Sequence, residues 1–311
     1  MQAPISIFCE RSPGRIGNKM FALFSLFNYI RKQQNNGQQI DICFDNSYLD
    51  DIQVNRFMNV NKLKEQFTFV NEMEWKQDHP DPIFWSDLHY APQQEQNTLD
   101  GLTIDDRHIF ITCNSLLINY IKAFGGCSID YFRQFMHPSI ICNETQSHSI
   151  VCHWRSYAKE FGGHKYSIYY EPGPDYYVNA IHKLFPDITQ EQIENDVNNE
   201  LDIVFVSDDI TSCRKRMSPV FKHALYGLPE NQIGLDDFKT MINANNLIIS
   251  NSTFAIMAGA FNYNQDRIVR PYKYYNKYYL TDGVPDDRNK ADWYYNPDWK
   301  IATFLCDRID S

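Results

Sequence analysis

The stretch Ser147–Tyr157, SHSIVCHWRSY, carries the main sequence signal for the fold of this chain. Its short apolar run, Ile150 to Cys152, ends abruptly in His153, Trp154 and Arg155. A buried parallel strand gives this pattern when it delivers polar side chains to its carboxyl edge, where open α/β sheets bind their ligands. The stretch therefore predicts a parallel sheet and a binding site that begins at its edge.

The second half of the chain alternates between strand and helix patterns. Strands are predicted at Ile203–Ser207 and Leu247–Ile249, and helices at Asp175–Leu184, Asp236–Asn243 and Phe254–Phe261. Repeated alternation of this kind is typical of a doubly wound parallel sheet.

The first half starts with a similar strand, loop and helix. The strand Ile5–Cys9 leads into a loop that contains Pro13, Gly14 and Gly17, and the helix Lys19–Gln34 follows. Glycines let the backbone turn tightly and approach a ligand closely. A purely structural turn gives the same short pattern, so the loop by itself is weak evidence for a site.

The length of 311 residues favours two domains of about 150 residues each. The polar stretch Asn143–His148 separates the halves, so the expected domains are 1–146 and 147–311. The expected fold class is α/β, with a parallel, doubly wound sheet in the second half. Residues 45–96 have no clear period, and their aromatic residues, among them Trp75, Trp85 and Tyr90, either pack normally or line a carbohydrate cleft.

The composition argues against several kinds of partner. A net charge of -10 makes a broad nucleic-acid or anionic-membrane surface unexpected. Eight cysteines without a CxxC pair predict buried free thiols and no zinc site. No window reaches the roughly 18 apolar residues that a membrane helix needs. We expect a cytoplasmic protein, with a secretory-pathway ectodomain trimmed of its anchor as the alternative.

Polar groups of complementary kinds follow three of the predicted strands. An arginine fork binds a diphosphate, hydroxyls and N–H groups at a helix start bind phosphate oxygens, and a carboxylate accepts two hydrogen bonds from a guanine edge. Together they predict a nucleoside-diphosphate pocket. Taken singly, each group also has a structural explanation: Asp208 and Ser252 as helix caps, and Arg155 as one half of a surface ion pair. The groups are His153 with Arg155, Asp208 with Asp209, and Ser252 with Thr253.

Four segments, in order, resemble the α-1,2-fucosyltransferase family within the GDP-fucose fucosyltransferases. GRIGNKMF at 14–21 resembles the family's Gly-x-x-Gly-Asn-Gln-Met-Phe, and HWR at 153–155 resembles the start of its His-x-Arg-Arg. FVSDDI at 205–210 resembles its Phe-Ser-Asp-Asp segment, and NLIISNSTF at 246–254 resembles its Asn-Ile-Ile-Ala-Asn-Ser-Ser-Phe. Between about residues 45 and 145 there is no motif.

The resemblance implies a GT-B-like fold in which two Rossmann-like domains face a central cleft. It implies an inverting, metal-independent enzyme without a cofactor, which transfers L-fucose from GDP-fucose to a hydroxyl of a glycan acceptor, with galactose O2 as the expected position. By the same resemblance Arg155 would hold the β-phosphate and stabilise departing GDP, and His153 would support it. The other residues implied for the donor site are Gly17, Asn18, Asp208 as the guanine reader, Asp209, Ser252, Thr253 and Phe254.

The sequence departs from the family directly after Arg155. Ser156 stands where the family has a second arginine, so one positive charge is missing where negative charge develops on the leaving group. Lys159, Lys165 and Arg15 are candidates to compensate for this charge. The sequence identifies no general base, and Glu160 is a candidate for that role. Two alternatives stay open: a GT-B transferase that uses another nucleotide sugar, and a catalytically silent relative that binds GDP or carbohydrate.

Overall fold

The structure is a computed structural model that describes residues 5–11, 14–35, 40–80, 83–85, 108–111, 124–125, 128–141, 149–157, 171–196, 200–227, 234–272 and 295–302. The chain divides into two compact units, Met1–Ile141 and Cys142–Ser311. The predicted boundary between residues 146 and 147 lies outside the described residues and stays a prediction.

The first unit contains a parallel sheet of five strands. Its strand order is β3-β2-β1-β5-β4, and every neighbouring pair is parallel. The order reverses between β1 and β5, so the carboxyl end of β1 lies at the topological switch point of this sheet. The strands are β1 (Ile5–Cys9), β2 (Ile40–Asp45), β3 (Thr68–Val70), β4 (Ile83–Trp85) and β5 (His108–Ile111).

One long helix and several short ones accompany this sheet. The long helix begins at Ile16, three residues before the predicted start, and buries an aromatic face on which Phe27 stacks against Phe67 at 4.1 Å. Trp75 is 2% exposed and packs on Phe8, so the carbohydrate-cleft interpretation is wrong for Trp75. The helices are α1 (Ile16–Asn35), α2 (Ile52–Phe57), α3 (Val60–Gln66), α4 (Glu72–Asp78), α5 (Ile129–Arg133) and α6 (Pro138–Ile141), with a 3-10 turn at Asn46–Tyr48.

The second unit contains a parallel sheet of six strands in the order β11-β10-β9-β6-β7-β8. Numbered by appearance within the unit, this order is 3-2-1-4-5-6 read from β8, which is the doubly wound Rossmann order. Its switch point lies between β6 and β9. The strands are β6 (Ile150–Trp154), β7 (Ile203–Ser207), β8 (Leu225–Tyr226), β9 (Leu247–Ile248), β10 (Ile268–Pro271) and β11 (Lys300–Ala302).

The helices of the second unit pack on a core that includes fully buried residues of β6 and β7. In the last of them, a Cβ on Gly259 would lie 2.7 Å from the Trp299 ring, so the small residue lets the indole pack against the helix. The helices are α7 (Pro174–Leu184), α8 (Gln190–Glu194), α9 (Ile210–Met217), α10 (Leu235–Ile242) and α11 (Thr253–Phe261), with a 3-10 turn at Gln265–Arg267.

The predicted fold class is confirmed: both units have parallel α/β sheets of the Rossmann kind. The four cysteines in the described segments, Cys9, Cys43, Cys152 and Cys213, are buried free thiols, as expected. None of the described helices has both the length and the apolar character needed to cross a bilayer. Within the same residues there is no group of three or more His, Cys, Asp or Glu side chains that could hold a metal ion.

Candidate functional site

The structure brings three of the predicted strand ends to one edge of the second sheet. Strand β6 lies between β7 and β9, with Trp154 opposite Ser207 and Cys152 opposite Ile248. Because the three strands are parallel, the residues that follow them lie along the same carboxyl edge. This edge includes the switch point between β6 and β9, where α/β sheets of this kind bind ligands.

His153 connects the two sides of the switch point. Its Nδ1 lies 2.8 Å from the hydroxyl of Ser250, the second residue after β9, and the imidazole is 3% exposed. Burial lowers the pKa of His153 to about 4; the Asp208 carboxylate opposes this shift, and the Arg155 guanidinium adds to it. The ring is therefore neutral at pH 7, with one donor and one acceptor nitrogen.

Arg155 and Asp208 form an ion pair between the ends of β6 and β7. The contact joins Arg155 Nη1 to Asp208 Oδ2, and the two side chains are 12% and 34% exposed. The guanidinium also lies 5.5 Å from the centre of the Tyr157 ring. The residues predicted to hold the diphosphate and to read guanine are thus partners of each other in this structure.

Asp209, not Asp208, caps the helix that follows β7. Its Oδ1 accepts a hydrogen bond from the Ser212 N–H at 3.3 Å, and its Oδ2 accepts one from the Ser212 hydroxyl at 2.9 Å. The helix-cap interpretation of Asp208 is therefore wrong. The predicted binding role of Asp209 stays a prediction, but its carboxylate is engaged in starting α9.

The third strand end leads into the amino terminus of α11. Ser252 occupies the N-cap position, is 6% exposed and makes no capping hydrogen bond with its side chain. The cap interpretation of this hydroxyl is therefore wrong. Thr253 and Phe254 form the first turn, and the Phe254 ring lies 6.1 Å from the His153 ring and 5.3 Å from the Phe238 ring. The helix thus presents its amino end beside the buried imidazole.

The residues after Arg155 return to the same region. The Tyr157 hydroxyl donates a hydrogen bond to the Asn251 carbonyl, which anchors this segment beside the start of α11. Between them, Ser156 is 5% exposed, and its Oγ has no hydrogen-bond partner in the described part of the chain. The residue that departs from the family pattern is thus buried within the site region.

Two buried tyrosines, which the sequence did not indicate as site residues, hydrogen-bond the main chain near the ends of β6 and β9. The Tyr177 hydroxyl donates to the His153 carbonyl at 2.7 Å, and the Tyr176 hydroxyl donates to the Ile249 carbonyl at 2.5 Å. Burial raises the pKa of both phenols well above the ordinary value, so both remain donors. A tyrosine pair in an amphipathic helix indicates core packing, and no sequence signal gives the direction of its hydroxyls.

The remaining predicted residues lie in the first unit, at the start of α1. Gly17 and Asn18 belong to the first helical turn rather than to the preceding loop. A Cβ on Gly14 would lie 2.5 Å from Asn18 Nδ2 and 2.8 Å from Asn18 Cβ, so only glycine lets Asn18 keep this position. Glu160, the candidate base, and Lys159 and Lys165 lie outside the described residues.

Asp51 connects the two flanks of this loop. Its carboxylate contacts Lys19 Nζ at 2.6 Å and Arg11 Nη1 at 3.0 Å, and it also caps α2 through the N–H groups of Gln53 and Val54. Burial acts to raise the pKa of Asp51, but the hydrogen bonds from Lys19, Val54 and Gln53 outweigh burial and lower it. The glycine loop is therefore tied at both ends to one buried carboxylate.

No protein-family model matches this chain, and no curated protein sequence matches it. Among solved structures, it is similar to the fucosyltransferase NodZ from Bradyrhizobium, at 11% identity and a TM-score of 0.43, over 86% of this chain and 93% of that one. It is similar to the E. coli heptosyltransferase WaaC with ADP, at 10% identity and a TM-score of 0.41, over 96% and 93% of the two chains. A further similar structure is Arabidopsis thaliana FUT1 in complex with GDP, at 10% identity and a TM-score of 0.41, over 84% and 70%.

Proposed function

We propose that this chain is an inverting fucosyltransferase that transfers L-fucose from GDP-fucose to a sugar hydroxyl, with galactose O2 as the acceptor position. The observation that carries the proposal is the convergence of Arg155, Ser252 and the start of α11 at neighbouring strand ends around a Rossmann switch point. The four sequence segments that resemble GDP-fucose fucosyltransferases support the choice of donor.

The donor diphosphate would bind at this edge of the second unit. The Arg155 fork suits two phosphate oxygens, and the amino end of α11 favours negative charge through its N–H groups and its dipole. The Ser252 hydroxyl, which makes no capping bond, can donate to a further phosphate oxygen. Asp208 would accept the hydrogen bonds of the guanine edge once the diphosphate shares Arg155, with Asp209, Thr253 and Phe254 lining the nucleotide.

The reaction would exchange one bond for another at the fucose anomeric carbon. The bond to the β-phosphate oxygen breaks and its electron pair leaves with GDP, while the acceptor oxygen bonds to the opposite face and releases its proton. The transition state has oxocarbenium character, so most of the catalysis lies in positioning and in stabilising the leaving diphosphate. Arg155 would supply that stabilisation, Glu160 would take the acceptor proton, and no metal would be required.

The first unit would contribute Gly17 and Asn18. The Asn18 amide offers both a donor and an acceptor, which suits a sugar hydroxyl or a phosphate oxygen. Its position is fixed by contact with Gly14 and by the Asp51 network beside it. We propose that this first turn of α1 binds the sugar-phosphate part of the donor.

The test is calorimetric titration of the wild type with GDP, UDP and ADP, repeated with Arg155→Ala and Arg155→Lys. GDP should bind in preference to UDP and ADP, and Arg155→Ala should weaken GDP binding roughly 10- to 100-fold because a charge-assisted hydrogen bond is lost. Arg267→Ala is the matched control. Arg267 precedes β10 at the opposite edge of the same sheet and hydrogen-bonds Asn246 at 2.7 Å, so its loss should leave GDP binding unchanged.

Transfer from GDP-fucose to a galactoside should be detected with the wild type and lost with Arg155→Ala. Equal transfer by both proteins would contradict the role given to Arg155. Tight UDP binding without GDP binding would favour a transferase for another nucleotide sugar. GDP binding without any product would identify a catalytically silent binding protein.

A further inference from the structure

Ser156 has an unusual environment for a buried serine. It is 5% exposed, and its Oγ has no hydrogen-bond partner in the described segments. A buried hydroxyl without a partner destabilises a fold by roughly 1–3 kcal/mol, and alanine would fill the same space without that penalty. Such groups are expected where function requires them.

The neighbours of Ser156 place it within the candidate site. Arg155 on one side pairs with Asp208 at the end of β7, and Tyr157 on the other side donates to the Asn251 carbonyl next to Ser252. Ser156 thus lies in the chain between two residues whose contacts join the end of β6 to the strand ends on either side of it.

A second buried serine lies at the same edge. Ser252 is 6% exposed and makes no capping hydrogen bond, although it holds the N-cap position of a nine-residue helix. N-cap serines ordinarily satisfy an N–H group of the first turn. The edge thus holds two buried serines: the Ser156 hydroxyl has no hydrogen-bond partner in the described segments, and the Ser252 hydroxyl does not make the capping bond of its position.

We propose that the Ser156 hydroxyl joins the Ser252 hydroxyl in an uncharged subsite and donates a hydrogen bond to a phosphate oxygen of a nucleoside diphosphate, beside the oxygens that Arg155 binds. This inference rests on the proposed function, because it assumes that the edge binds a nucleoside diphosphate. It gives Ser156 a direct binding role, in which a neutral donor stands where the resembled family has a second, positively charged arginine.

The charges at the edge explain why neutral donors matter here. The positive charge of Arg155 is already paired with Asp208, and His153 is neutral at pH 7 because burial lowers its pKa. The subsite therefore adds donors to an edge where the Arg155 charge already faces a carboxylate. Phosphate oxygens are strong acceptors, and hydrogen bonds from neutral donors to charged acceptors are stronger than neutral pairs. Because a neutral donor carries no net charge for salt to screen, its contribution should fall less with salt than that of Arg155.

The test compares Ser156→Ala and Ser252→Ala with the wild type in thermal unfolding and in titrations with GDP, inorganic pyrophosphate and guanosine. Ser250→Ala is the matched control for stability, since the Ser250 hydroxyl is buried and paired with His153. Ser156→Ala should leave the Tm unchanged or raise it, whereas Ser250→Ala should lower it. Ser156→Ala should weaken GDP and pyrophosphate binding about tenfold, which is about 1.4 kcal/mol, and leave guanosine binding unchanged.

The two readouts separate a binding role from a structural one. If Ser156→Ala lowers the Tm as Ser250→Ala does and leaves the pyrophosphate affinity unchanged, the hydroxyl is structural and the inference is overturned. If the wild type and both variants bind GDP equally well, the proposed function stands and only the subsite is rejected. If the wild type binds neither GDP nor pyrophosphate, the proposed function fails together with the subsite.

Discussion

Arg155 and Asp208 are held together by an ion pair that joins the carboxyl ends of the neighbouring strands β6 and β7. Any anion that binds Arg155 has to share the guanidinium with this carboxylate or displace it. Two negative groups around one guanidinium repel each other, so Asp208 should oppose binding of a diphosphate while it keeps the arginine in place. Asp208 should thereby influence both the affinity of this sheet edge for a diphosphate and its selectivity among nucleotides.

Asp208→Asn should raise the affinity for pyrophosphate about fivefold, because it removes the opposing charge from a partly exposed position. The same change should reduce the preference for GDP over ADP if Asp208 reads guanine. Calorimetric titration at constant ionic strength measures both effects. Asp202→Asn is the matched control: Asp202 precedes β7 at the amino edge, and asparagine tolerates its φ of 41°. A loss of pyrophosphate affinity in Asp208→Asn would show that orienting Arg155 matters more than the repulsion.

His153 should make the stability of the chain depend on pH. Its pKa is about 4 in the folded chain, against an ordinary value of about 6.5. Between these values the unfolded chain binds more protons, so stability should rise with pH, and about 3 kcal/mol should be lost as the pH falls from 6.5 to 4. Urea unfolding across this range measures the slope.

His153→Asn should remove that part of the slope, since asparagine does not titrate and can still hydrogen-bond Ser250. His223→Asn, at an exposed position, is the control for replacing a histidine elsewhere in the chain. Parallel slopes in the wild type and in His153→Asn would contradict a depressed histidine pKa.

Gly14→Ala should displace Asn18, because the new methyl group would lie 2.5 Å from its amide nitrogen and 2.8 Å from its Cβ. We expect a destabilisation of roughly 1–3 kcal/mol from overpacking, together with a higher KM for the donor. Gly173→Ala is the control, since the nearest atom to its Cβ would be Arg216 Nη2 at 3.8 Å. Steady-state kinetics and thermal unfolding of both variants measure the difference. Equal KM and Tm values in the two variants would contradict a role for the position of Asn18.

Asp51→Asn should destabilise the first unit by about 3–5 kcal/mol, because it leaves the buried Lys19 ammonium without its carboxylate and weakens the hold on Arg11. The lowered pKa of Asp51 means that its contribution is present near neutral pH and is lost as the pH falls through the folded-state value. Glu65→Gln removes an exposed ion pair with Lys62 and should change the stability by less than about 1 kcal/mol. Similar losses in both variants at pH 7 would contradict the special role of Asp51.

Much of the second unit follows from local sequence signals. Ile203–Ser207 was predicted with the bounds that the structure has, because its apolar run stops at two aspartates. The short strands β3 and β4 were missed, since three residues are too few to show a period. The helix start at Ile16 was predicted too late because Gly17 reads as a loop residue, whereas the structure includes it in the first turn.

The site was predictable as a set of strand ends but not as a set of contacts. Parallel strands bring their carboxyl ends to one edge, which is why His153, Arg155 and Asp208 could be grouped from sequence. Their partners depend on tertiary packing: Ser250 is 97 residues from His153, and Asp51 is 32 residues from Lys19. No local pattern encodes contacts over such separations.

The hydroxyls of the consecutive residues Tyr176 and Tyr177 hydrogen-bond main-chain carbonyls on opposite sides of the switch point. Both side chains are fully buried and belong to the apolar core of the second unit. The spacing between the ends of β6 and β9 is therefore set from inside the core rather than by the residues that line the edge. A substitution on α7 that never contacts a ligand can change how well a ligand fits.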